Sequence, residues 1–109
     1  MNHSAIQYAV DSMEMNREQV KDSPTAMKPV YLHVSTVAPV VHESVANKNR
    51  TSPNVVILSD VKWRDGWLLG SPMVWEGNDW VSIHPSTVIT DSMCINPEHV
   101  ISVQVFGER

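Results

Sequence analysis

The chain has 109 residues, enough for one domain that buries roughly two thirds of its unfolded surface. A hydrophobic fraction of 42% against 18% charged residues excludes a disordered chain. A net charge of −4 with scattered Lys and Arg argues against unaided binding to a phosphate backbone, so a long nucleic acid is a disfavoured partner.

The first element is an amphipathic helix. Ser4 and Gln7 fit a capping box, and Ile6, Ala9, Val10 and Met13 recur at helical spacing, with Val20 extending the stripe. Asp11, Glu14, Arg17 and Glu18 fall largely opposite, and Pro24 ends the helix. From Pro29 onward the pattern is strand and turn. "VYLHVSTVAPVVHESV" is rich in β-branched residues and reads as two short strands divided at Pro39, or one kinked edge strand. "ANKNRTSP" reads as a polar loop. "NVVILSDVKW", "WLLGSPMVWE" and "WVSIHPSTVIT" read as three further strands, the last kinked near Pro85. "DSMCINPEH" reads as a connection and "VISVQVF" as the closing strand.

With no second helical pattern to carry parallel crossovers, the expected fold is mainly β: a small antiparallel barrel with one N-terminal α-helix. Residues 1–28 would form the helix and its linker, and 29–109 the barrel, as one globular unit. This layout resembles the Sm-like small β-barrels, or more loosely an SH3-like barrel. "INPEHVISVQVF" looks like the last turn and strand of such a barrel, with Ile101, Val103 and Val105 alternating inward. The resemblance covers residues 4–20 and 54–106 in layout only. The glycine-bearing RNA-binding signatures of that family are absent, so it implies a fold and no RNA-binding function.

All four tryptophans, Trp63, Trp67, Trp75 and Trp80, fall in one short stretch. Asp65-Gly66 is a strong two-residue hairpin signal and pairs Arg64 with Trp67, Trp63 with Leu68, Val61 with Gly70 and Ile57 with Val74. "EGND" then pairs Trp75 with Trp80, Val74 with Val81 and Met73 with Ser82. Alternation sorts the meander into two faces. Val55, Ile57, Val61, Trp63, Leu68, Val74, Val81 and Ile83 form the expected interior. Trp67, Leu69, Met73, Trp75 and Trp80 share the other face with Lys62, Arg64, Ser82 and His84. A bulge near Gly70-Ser71-Pro72 would exchange the faces downstream. The second face is too apolar to stay wet. Its cover is the N-terminal helix, a second subunit, or a ligand or partner stacked on the indoles with Lys62 or Arg64 beside it.

The sequence holds no assembled catalytic or metal-binding constellation. The five histidines lie at no ligand spacing, and Cys94 is the only cysteine, which excludes an intrachain disulfide and a thiolate zinc cluster. Cys94 and His99 form the one sequence-local thiol–imidazole pair, with a buried cysteine and a turn histidine as the plainer account. The first residues lack a signal-peptide pattern, and no apolar run reaches the ~20 residues of a membrane span. The expectation is a cytoplasmic, non-enzymatic binding protein without a cofactor or membrane partner. It would act through Lys62, Arg64, Trp67, Met73, Trp75, Trp80 and His84 on a partner protein or a small planar ligand such as a nucleotide. In style the chain resembles phage-type accessory proteins that inhibit or sequester a host component. Two alternatives stand: a structural oligomer subunit whose tryptophan patch is buried in assembly, or a small hydrolase using Cys94 and His99, or His84.

Overall fold

The computed structural model describes residues 3–21, 30–83 and 93–107, with residues 14–21 described by backbone alone. Among the described residues there are two α-helices and six strands: α1 (His3–Lys21), β1 (Val30–Thr36), α2 (Glu43–Asn49), β2 (Val55–Arg64), β3 (Trp67–Trp75), β4 (Trp80–Ser82), β5 (Met93–Ile95) and β6 (Val100–Gly107), with a 3-10 turn at Pro97–His99. The expected mainly-β, antiparallel architecture is correct. The strands lie in the order β4-β3-β2-β1-β6, and β5 also pairs with β3. No ladder joins β6 to β4 or β5 among the described residues, so the described sheet is open and does not confirm the expected barrel.

α1 buries the stripe read from its sequence: Ile6, Ala9, Val10 and Met13. They enter one core with Leu32, Val34, Val56, Leu58, Val61, Leu68, Ile95 and Val100, and Trp63, Val103 and Val105 pack against it. The helix begins at His3, so Ser4 lies within its first turn rather than at the cap. Val20 lies beyond the side chains described.

α2 corrects the expectation of strand followed by polar loop. The His42 ring nitrogen accepts from the Ser44 N–H at 3.1 Å and caps the start. Arg50, at φ 57, turns the chain left-handed at the end and donates its N–H to the Ala46 and Asn47 carbonyls. Only Ala46 is buried, so a seven-residue helix with one apolar contact leaves almost no periodic signal. Likewise β5 lies in the stretch read as a connection, because three residues are too few to show alternation. Helix-then-strands holds as a layout, while α2 and the open sheet depart from the small-barrel pattern.

The hairpin at Asp65-Gly66 forms as expected, with φ 50 and 79 at the two turn residues, both positive as a type I′ turn requires. Arg64 pairs with Trp67 and Trp63 with Leu68. The second hairpin pairs Trp75 with Trp80, Val74 with Val81 and Met73 with Ser82, also as expected. The register between them slips, but on β2: Ser59 pairs with Ser71 and Lys62 with Leu69, so Asp60 and Val61 together face Gly70. Asp60 takes φ 50 at this bulge. Gly70 accommodates it, since a Cβ there would stand 3.0 Å from the Leu58 Cβ.

The bulge corrects the face assignment. Ile57 pairs with Met73 rather than Val74, and Val55 and Ile57 move to the tryptophan-bearing face. Val56 and Leu58 take their places under α1. Val81, expected inside, is 39% exposed. A second register shift, between Ser35 and Thr36, puts Val100 in the core and leaves Ile101, expected inward, 60% exposed.

Candidate functional site

The two sheet faces are covered differently. α1 lies over Leu32, Leu58, Val61 and Leu68 on one face. The expectation that α1 could cover the tryptophan-bearing face is therefore overturned. On that opposite face Tyr31, Ile57 and Met73 are buried, with Val55, Trp80 and Phe106 packed around them.

The rings there form a connected cluster. Trp75 and Trp80 meet edge to face with centroids 5.3 Å apart. Trp80 reaches Tyr31 at 5.8 Å and Phe106 at 6.1 Å, and Tyr31 and Phe106 lie 5.6 Å apart. β4 and β1 are separated by β3 and β2, a span of about 14 Å on a flat sheet. Ring contact across it requires a sheet coiled toward this face. Such offset and edge contacts suit the aromatic quadrupole, and each adds about 0.5–1.5 kcal/mol beyond burial. Met73 completes the floor, its sulfur accepting from the Ser59 hydroxyl at 3.2 Å.

Backbone groups at the β3 end of this cluster are held by α2. The Trp75 N–H donates to the Asn49 side-chain oxygen at 2.8 Å, and the Asn49 amide donates to the Met73 carbonyl at 3.3 Å. The β2–β3 pairing ends at Ile57 and Met73, and Asn49 supplies the partner of the Trp75 N–H just beyond it. Lys48 and Glu76 make an exposed ion pair at 3.1 Å nearby, which contributes little by itself.

The sequence-named residues thus fall into two groups. Met73, Trp75 and Trp80 come together. Lys62, Arg64 and Trp67 share the same face but sit at the Asp65-Gly66 hairpin tip, the other end of β3. Eight residue steps of strand separate Trp67 from Trp75, about 26 Å if extended. Trp67 is 47% exposed, with Arg64 directly across the ladder and Lys62 two residues away. Trp63 packs on the core as expected and meets His3 of α1 edge-on at 5.5 Å. His84 lies outside the described residues. Sequence reasoning missed Tyr31 and Phe106; the closing β1–β6 ladder, which sets Tyr31 opposite Phe106, could not be paired from local turns.

Cys94 is exposed, against the expected buried thiol, and His99 sits in the 3-10 turn as expected. Both line a cleft of about 330 Å³ with Thr36, Val40, Met93 and Asn96. A second cleft of about 530 Å³ lies between α2 and β4, floored by Val45, Val74, Val81 and Ile83. Among the described residues no group of His, Cys, Asp and Glu is placed to hold a metal ion, and no helix is long and apolar enough to cross a membrane. No protein-family model, curated protein or solved structure matches this chain.

Proposed function

We propose that this chain is a non-enzymatic binding protein that engages a partner protein through its tryptophan-bearing face. The supporting observation is the division of that face. Indoles lie at both ends of β3, and α1 packs on the opposite side of the sheet. One small planar ligand cannot touch Trp67 and Trp75 together, whereas an extended protein surface can. Half-buried aromatics with cations at one margin suit a hot spot with a polar rim. Such a protein acts stoichiometrically, as a phage-type accessory inhibitor does, and its place is the cytoplasm.

A photo-crosslinking residue placed at position 67 and, separately, at position 82, which pairs with Met73 on the same face, tests the reading. Both positions should give adducts with the same protein. A small nucleotide is the competing occupant of the Trp67 tip, where Arg64 and Lys62 offer charge. Adducts absent from both positions, with tryptophan fluorescence and melting temperature responding to a nucleotide panel, would replace the partner protein by that ligand.

A second reading has one observation in its favour: Cys94 and His99 open on the same cleft. A hydrolase built there would turn over activated esters and lose that turnover in Cys94→Ser, while partner adducts at positions 67 and 82 would be unaffected.

A further inference from the structure

We infer that the outer edge of β6 is a self-association surface, at which a second copy of this chain adds its own β6 antiparallel and continues the sheet.

The direction of the backbone groups carries the argument. The Thr36 N–H donates to Asn54 on the β2 side, and the next N–H, of Val37, donates to His99 on the β6 side. Odd-numbered residues of β1 therefore aim their backbone groups at β6, and their partners Ser102, Gln104 and Phe106 return those bonds. Val103 and Val105 consequently point their N–H and C=O groups away from β1. Nothing pairs with that edge among the described residues.

An unpaired strand edge is a template for another strand, and natural edges are blunted by shortness, charge or proline. β4 and β5, on the other edge, are three residues each. β6 runs eight residues, from Val100 to Gly107, as VISVQVFG, with neither a charge nor a proline. Its bulge lies at its N-terminal end, clear of Val103 and Val105.

A second copy fits this edge without like-charge repulsion, although the chain as a whole is acidic. A two-fold axis normal to the sheet pairs residues on the same face, so the sum of paired numbers is even. The register centred on Gln104 sets Val103 against Val105 of the second copy and the reverse, using every outward group of both. It also sets exposed Ile101 against Gly107 of the second copy, a position with no side chain.

Native mass spectrometry and sedimentation over a concentration series test this, together with amide exchange. The wild-type chain should be a dimer in which the Val103 and Val105 amides are protected. Gln104→Lys sets two ammonium groups against each other, and Val105→Pro removes an outward donor without touching the β1 ladder. Both should be monomers with wild-type circular dichroism. In Gln104→Lys the Val103 and Val105 amides should exchange fast, while the backbone amide at the substituted position, bonded to β1, stays protected. A wild-type monomer at every concentration, a dimer that survives both substitutions, or a dimer with fast Val103 and Val105 amides would overturn the inference.

Discussion

Gly70 stands opposite the β2 bulge, with no room beside it for a Cβ. A Cβ there would meet the Leu58 Cβ at 3.0 Å, its Cδ1 at 3.2 Å and the Ser59 carbonyl at 3.3 Å. Leu58 is fully buried under α1 and cannot move aside. Gly70→Ala should therefore destabilise the fold by about 1–3 kcal/mol, read from urea denaturation, through overpacking rather than backbone freedom. The same position explains a misreading at this scale. Glycine and proline in "LGSP" point to a bulge on β3, yet the extra residue sits across the ladder at Asp60-Val61. The sequence marks the place where two strands crowd, not which of them carries the surplus residue. That one displacement moved Val55 and Ile57 to the wrong face, while β3, unbroken in parity, kept Met73 and Trp75 on the face expected of them.

Among the elements, α2 does most with least sequence signal. Its last residue, Asn49, extends the β2–β3 ladder by side chain alone, accepting from Trp75 and donating to Met73. Asn49→Ala leaves the Trp75 N–H without its partner, removes a second donor from the Met73 carbonyl, and should cost about 1–3 kcal/mol. Faster amide exchange at Trp75, with Ile57 unaffected, would mark the loss as local. Helix α1 and both hairpins were legible because each carries a local code: a 3.6-residue stripe, Asp65-Gly66, and the four-residue loop before Trp80. α2, β5 and the β1–β6 pairing were not, since their positions depend on contacts distant in sequence. The candidate site divided in the same way. Trp75, Trp80 and Met73 could be grouped from turn lengths. Tyr31 and Phe106 join them only through the long-range ladder and the coil of the sheet.

For the molecule as a whole, the asymmetry between the two sheet faces matters most. One face is closed by α1, whose Ile6 is fully buried among Leu, Val and Met side chains. Ile6→Ala should cost about 2–5 kcal/mol and lower the denaturation midpoint of the entire sheet, because helix and strands share one core. The other face relies on its own rings, and the proposed recognition is assigned to it. A loss of stability in Ile6→Ala without any loss of partner adducts at positions 67 and 82 would separate the two faces experimentally.

The strand order has a temporal consequence. β1 needs β6, so Val30 must find Gly107, 77 residues further along the chain. The β2–β3 hairpin can form early from its own turn, but the central strand β1 stays half-paired until β6 is available. Closing so long a loop before its contacts repay the entropy places this domain among the slow folders of its size. During synthesis, β1 leaves the ribosome long before its second neighbour exists. An uncharged stretch such as "VYLHVST" must wait in the open until β6 follows.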